Sequence, residues 1–252
     1  MVRGRFLKIT KQVTKYLLGA LPRNFSNHLY YSHPEHKKFA YSCPSFSQEG
    51  EDMVLRRLFP EQNTGFFIDI GAHHPSHFSN TKYFYDLGWR GINIEPSPGS
   101  KTIFEKERIF DINLEVLISE ESNEVNFHLF DPPLMNTMSD AQLAENKKFD
   151  WCIFLKTVKV KSEPLKAIIS NYVPTNQKID FISIDVEGAE LSVLKSHNWD
   201  YRPKVIVIEV IDKSISEIFE TDVYKFLFEK NYSFFAKTGN SIFFKTTGFF
   251  EF

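Results

Sequence analysis

Between Gly65 and Asn80 the chain reads GFFIDIGAHHPSHFSN. Phe66, Phe67, Ile68 and Ile70 form a short continuous apolar run, the pattern of a parallel strand covered on both faces rather than of a half-exposed one. Asp69 interrupts the run near its carboxyl end. Gly71 follows, where backbone turns sharply or comes close to a ligand. The arrangement recurs: INI runs into Glu95, FISI into Asp185 and VIVI into Glu209. Strands alternating with helices imply an α/β fold with a mostly parallel, doubly wound sheet, in which ligands sit outside the carboxyl ends of the strands. Asp69, Glu95, Asp185 and Glu209 are then expected on one rim. A plainer reading of the first pair also holds at this point, with Asp69 capping a helix and Gly71 serving a turn.

Around these runs the remaining elements fall into order. Residues 3–21 place Phe6, Ile9, Val13, Leu17 and Leu21 at helical spacing among Arg3, Arg5, Lys8, Lys11 and Lys15, a basic amphipathic helix. Such a stripe packs on its own domain, joins a homo-oligomer, or makes peripheral membrane contact on an anionic surface. Residues 22–44 show no period and read as a linker, so residues 1–46 are expected to be an arm and 47–252 the main domain. Helices are predicted opening in the segment 47–52 and running through 58, over 79–87 with Gly88 as the stop, from Pro164, after Glu187 to about 197, and over 215–230. A third strand is expected over 112–118, and further strands over 125–130 and 153–161 flank a long polar segment, 131–150. Two last strands, 233–236 and 242–245, make a hairpin around Gly239-Asn240.

Composition narrows the function. The 252 residues carry a net charge of −2 and 42% hydrophobic residues, which exclude disorder and give no reason to expect a nucleic-acid partner. Cys43 and Cys152 stand far apart, outside any disulfide or zinc spacing, and a reducing, cytoplasmic setting is expected, extending to the inner face of a membrane if the arm docks there. No apolar run reaches the ~20 residues that span a bilayer. His73, His74 and His77 lie close together but match no zinc motif, and read as packed or hydrogen-bonded loop histidines. Trp89, Trp151 and Trp199 read as core or loop anchors rather than sugar platforms, with Trp151 the exception because it borders the polar segment.

Taken together, FIDIGAHHP, SNTKYFYDLGWRGINIEPSP, RIFDINLEVLIS, IDFISIDVEGAELSVLK and RPKVIVIEV resemble the FkbM family of S-adenosylmethionine-dependent methyltransferases over about residues 47–244. The resemblance implies a Rossmann-like, seven-stranded class I methyltransferase sheet with a C-terminal antiparallel hairpin, here preceded by an N-terminal helical arm. It implies O-methylation of a sugar, nucleotide-sugar or glycan acceptor with S-adenosyl-L-methionine as cofactor. Asp69, Gly71 and Ala72 fall in the first cofactor motif, Glu95 at the ribose-holding acidic position with Pro96 beside it, and Leu117 where a chain segment flanks the adenine. Asp185, Glu187 and Gly188 form the DVEG block. Where many methyltransferases carry further glycines after Gly71, this chain has His73 and Pro75.

Chemistry points the same way. The cofactor's sulfonium is a cation, so carboxylates near its pocket suit it. A sugar hydroxyl needs a positioned proton acceptor or a metal that lowers its pKa. Asp185, with Glu187 and His73, is the expected catalytic group, and Asp185 also the expected neighbour of the methyl-bearing end of the cofactor. If magnesium or another divalent cation serves, Asp185 and Glu209 are its expected ligands. A nicotinamide-dependent oxidoreductase is the alternative enzyme class, but neither a P-loop nor a G-x-G-x-x-G turn is present. A non-catalytic glycan-binding or membrane-associated domain would not need the rim carboxylates.

Overall fold

The computed structural model describes residues 43–249. The expected helical arm at 3–21 lies outside the described residues. In chain order the elements are α1 (Glu51–Leu58), β1 (Phe66–Ile70), α2 (Lys82–Leu87), β2 (Arg90–Ile94), α3 (Ser100–Glu107), β3 (Ile112–Leu114), β4 (Leu117–Ile118) and β5 (Asn123–Asp131). A 3₁₀ turn (Pro133–Met135) and α4 (Asp140–Asn146) lead to β6 (Ile153–Glu163), α5 (Leu165–Tyr172), β7 (Phe181–Ile184), α6 (Glu190–Lys195) and β8 (Val205–Glu209). The chain continues through α7 (Ile215–Ile218), α8 (Asp222–Glu229), β9 (Tyr232–Lys237) and β10 (Ser241–Thr246).

A seven-stranded sheet runs in the order β3-β2-β1-β7-β8-β10-β9. The strands from β3 to β8 are parallel; β10 and β9 close the edge antiparallel. This is the Rossmann-like class I methyltransferase order expected from the sequence, and β7 lies beside β1 as the doubly wound reading requires. The central strands β1, β2, β7 and β8 bury both faces because a layer of helices covers each. Phe66, Ile68 and Ile70 pack with Ile92, Ile94, Ile182, Ile184, Ile206 and Ile208 against Leu165, Ile168 and Ile169 of α5 and Leu227 of α8. Burying each such side chain contributes roughly 1.5–3 kcal/mol. On the opposite face Phe67 and Phe181 stack 5.8 Å apart, and Phe59, Phe84 and the fully buried Trp89 surround Phe181.

Several boundaries differ from expectation. The strand expected over 112–118 is two strands in two sheets: β3 joins the main sheet, whereas β4 pairs with β6 in a separate sheet of order β4-β6-β5. Glu115 breaks the run because its carboxylate accepts from Gly99 N at 2.8 Å and so turns toward α3. The polar segment 131–150 is not one loop, since Ser139 caps α4 by accepting from Gln142 N. The helix expected over 215–230 is two helices, as Thr221 accepts from Tyr224 N and restarts the second. The helix expected over 79–87 begins at Lys82, because Ser79 and Thr81 turn their hydroxyls into a buried network.

Candidate active site

Register decides which polar side chains meet at the carboxyl edge. The last residues of β2, β1, β7 and β8 in the parallel pairing are Ile94, Ile70, Ile184 and Ile208, all level with one another. The next residue in each is therefore Glu95, Gly71, Asp185 and Glu209, one row past the parallel pairing, with Glu209 still paired to Ser241 of β10. All four line a cavity of about 520 Å³. Its wall also includes His73, Pro96, Leu117 and Glu187, and the segment between β5 and β6 supplies Leu134, Met138, Phe149 and Trp151. Of the residues singled out in the sequence, Gly71, His73, Glu95, Pro96, Leu117, Asp185, Glu187 and Glu209 thus meet in one place.

Asp69 and Ala72 do not reach the cavity wall. Asp69 lies inside β1, level with Asn93 and Ser183, and is only 4% exposed. Thr81 Oγ1 donates to its Oδ2 at 2.7 Å, and Thr81 in turn accepts from Arg108 Nη2 at 2.8 Å. Arg108, fully buried, also donates to the Pro75 carbonyl at 2.9 Å and to Ser79 Oγ at 3.0 Å, and pairs with Asp111 at 3.4 Å. Asn93 Nδ2 donates to Asn113 Oδ1 and Asp111 Oδ2, and Asn80 Nδ2 donates to Ser183 Oγ. The result is a buried polar row across the sheet beneath the turn that bears His73. Burial holds the Asp69 carboxyl above its usual pKa, and the Thr81 bond and the Arg108 charge oppose that. Ala72 is buried and its amide donates to the Ile94 carbonyl at 3.1 Å. The rim of carboxylates expected from the sequence accordingly loses Asp69, because it stands one side-chain repeat below the strand end.

Gly71 has φ 76°, and a Cβ there would come within 1.6 Å of the Asp185 carbonyl oxygen. The glycine is thus required by the close approach of β1 and β7 at their ends. Glu95, 7% exposed, accepts from His73 N at Oε2 and from Ser97 N at Oε1, both at 2.9 Å. Each oxygen keeps lone pairs for a further donor. His73 sits at φ 50°, and burial holds its imidazole below the ordinary pKa, which favours the neutral form. His74 Nδ1 accepts from the amides of Ser76 and His77 and so shapes the turn.

Asp185, Glu187 and Glu209 each present a carboxylate oxygen within 4.8 Å of the others. Glu187 reaches the cavity through two consecutive left-handed residues, φ 52° at Glu187 and 95° at Gly188. For a non-glycine residue this costs roughly 1–3 kcal/mol. Thr137 Oγ1 holds it there by donating to the Glu187 carbonyl at 2.8 Å, and Glu190 Oε1 accepts from Gly188 N at 3.0 Å. Burial, followed by repulsion from neighbouring carboxylates, pushes the Glu187 carboxyl up to about 8. Burial likewise raises Asp185 to about 7, and a side-chain hydrogen bond to Glu209 works against the rise. Glu209 is raised further by burial and by Asp185, and its Oε2 is buried without a hydrogen-bond partner among the described residues. The three carboxyls therefore hold protons between them at neutral pH rather than all being ionised. Nothing in the sequence signalled the turn at Glu187 or the Thr137 clamp, because both arise where a distant segment folds over the strand ends.

No curated protein matches the chain by sequence. Similar solved structures include the O-methyltransferase of Bacillus cereus in complex with S-adenosylhomocysteine, with 12% identity and a TM-score of 0.44 over 92% of this chain and 96% of that one. Another is the 1,6-didemethyltoxoflavin-N1-methyltransferase of Burkholderia thailandensis, with 10% identity and a TM-score of 0.43 over 90% and 91%. A third is the precorrin-6y C5,15-methyltransferase of Geobacter metallireducens, with 11% identity and a TM-score of 0.40 over 77% and 85%. Likenesses this distant say nothing of acceptor or mechanism. The model of the methyltransferase FkbM domain, by contrast, matches residues 69–234, from the buried polar row through the whole carboxylate edge to β9, and the chain belongs to this family of S-adenosylmethionine-dependent methyltransferases.

Proposed function

We propose that the methyl acceptor is a hydroxyl of a sugar or glycan and that the cavity divides into a nucleoside end and a proton-accepting end. The observation that carries this reading is that one cavity joins Glu95, with both oxygens fixed by backbone amides, to the half-buried Asp185, Glu187 and Glu209. S-adenosylmethionine supplies a methyl group on a cationic sulfonium. Glu95 accepts from the ribose hydroxyls, Gly71 gives backbone access, and Pro96 and Leu117 flank the adenine. Asp185 faces the reacting end. There the acceptor oxygen gains the methyl as the carbon–sulfur bond breaks, and its proton passes to the carboxylate cluster. His73, whose neutral form burial favours, closes the cofactor side, with its ring 6.4 Å from that of Phe78.

A divalent cation such as magnesium is a second reading of the same cluster, favoured by the orphaned Glu209 Oε2 beside Asp185 and Glu187. Carboxylate oxygens suit magnesium, and Asp185, Glu187 and Glu209 would hold it, lowering the pKa of a nearby hydroxyl. Isothermal titration with S-adenosylmethionine and with NAD tests the cofactor assignment, and NAD binding alone would overturn it. Activity lost to a chelator and restored by magnesium selects the metal version; activity indifferent to a chelator selects direct proton transfer. No helix among the described residues is long and apolar enough to cross a membrane. The membrane or oligomer role expected for the arm rests on residues outside the described ones.

A further inference from the structure

The outer end of the cavity differs in chemistry from its floor. The segment between β5 and β6 brings Leu134, Met135, Met138, Phe149 and Trp151 to the wall. Phe149 and Trp151 stack at 5.5 Å with 30° between their planes, and the Cys152 amide donates to the Phe149 carbonyl at 3.1 Å, closing the turn that presents both rings. Yet they remain 46% and 58% exposed. Two large aromatic rings held side by side and wet are unfavourable by themselves, and exposed apolar surface continuous with a ligand cavity marks a binding face. The floor is acidic: Glu95 lines it with Asp185, Glu187 and Glu209, which hold protons between them at neutral pH, and Glu145 and Asp212 are also on the wall. Among the described residues no lysine or arginine lines the cavity. A single divalent ion on the cluster would leave the wall net negative.

Resting on the methyltransferase reading above, we infer that the acceptor is an uncharged or amine-bearing sugar whose apolar ring face lies on the Phe149–Trp151 stack, and not a nucleotide-sugar or sugar phosphate. A pyranose offers one face of C–H groups to an aromatic plane while its hydroxyls point sideways. The stack meets that face, and a hydroxyl is left to reach Asp185. A pyrophosphate would bring two or more negative charges toward the carboxylates, in a partly desolvated space where like charges repel more strongly than in water. An ammonium group would instead be drawn in.

The experiment is calorimetric titration of the S-adenosylhomocysteine-loaded full-length protein with methyl hexosides, the matching 2-amino sugars and the matching UDP-hexoses. At least one methyl hexoside or amino sugar is expected to bind in the millimolar range. Trp151→Leu, at an exposed position, is expected to weaken it by about tenfold while leaving S-adenosylhomocysteine affinity unchanged. Phe149→Leu is expected to act in the same direction. A UDP-hexose that binds more tightly than its methyl hexoside overturns the inference. So does glycoside affinity that survives Trp151→Leu, or the absence of any glycoside binding. Failure of the wild-type protein to bind S-adenosylhomocysteine is a different result, which strikes the cofactor assignment itself.

Discussion

Asp69 and Asp185 are both aspartates that follow an isoleucine near the end of a parallel strand, on adjacent strands, yet the register separates them by one full side-chain repeat. Asp69 is level with Ser183, and Asp185 is two residues further out. The inner aspartate belongs to a row with Asn93, Asn113 and Ser183 that is sealed between sheet and helices; Thr81, itself held by Arg108, fills its carboxylate, and Asn93 Oδ1 is the one acceptor of the row without a partner among the described residues. The outer one belongs to a row with Glu95 and Glu209 that opens on the cavity and keeps an unpartnered oxygen. The difference teaches that the same residue type at nearly the same place is structural where its lone pairs are filled by the protein, and available for chemistry where they are not.

Arg108→Met breaks the inner row and is expected to have the largest effect. It leaves Asp111 and Asp69 buried without their cation, a loss of about 3 to 5 kcal/mol, read as a lowered denaturation midpoint. An unchanged midpoint would mean that the inner row is not structural, and the contrast between the rows would collapse.

Asp185→Asn acts on the outer row. It keeps the shape and removes the charge, so affinity for the neutral S-adenosylhomocysteine should stay near normal while turnover falls by at least about a hundredfold, within the range for a lost general base. Wild-type turnover in this variant would remove Asp185 from the chemistry. Asp69→Asn sharpens the contrast, since it should lower stability more than it lowers the turnover of the protein that remains folded.

Glu95→Ala should weaken S-adenosylmethionine by at least about tenfold, because charge-assisted hydrogen bonds of roughly 1.5–3 kcal/mol each are lost. Calorimetry reads this directly, and an unaltered dissociation constant excludes Glu95 from the ribose.

The smallest effect concerns pH. Burial raises the folded-state pKa of Asp185 to about 7 and of Glu187 to about 8, so both bind their protons more tightly folded than unfolded. The stability they contribute is complete below the unfolded carboxylate range of about 4 and is lost progressively as pH rises from there through the folded values of about 7 and about 8. Thermal scans of the ligand-free protein should therefore show a falling midpoint across that window, and Asp185→Asn should flatten it. The cationic S-adenosylmethionine should gain affinity over the same window relative to neutral S-adenosylhomocysteine. Parallel curves for the two ligands would show that the cluster does not face the sulfonium.

Much of the frame was legible in residues alone. Continuous apolar runs such as FFIDI and FISI can only be strands covered on both sides, and helix-length spacers between them dictate a parallel doubly wound sheet. A carboxylate placed after INI, FISI and VIVI therefore had to emerge at the sheet's carboxyl edge, and the ordered blocks carried the family resemblance. What residues alone left open was depth. Whether an acidic side chain at a strand end lies inside or beyond the last hydrogen-bonded pair depends on inter-strand register, which is set by packing among distant segments, and so Asp69 read as a rim residue until β1 was aligned with β7. The left-handed turn at Glu187 and the Thr137 clamp were equally invisible, whereas Trp151 stood out by bordering the polar segment. Turn and clamp depend on the segment between β5 and β6, which folds over strand ends far from it in sequence, and local propensity carries no record of contacts made at that range.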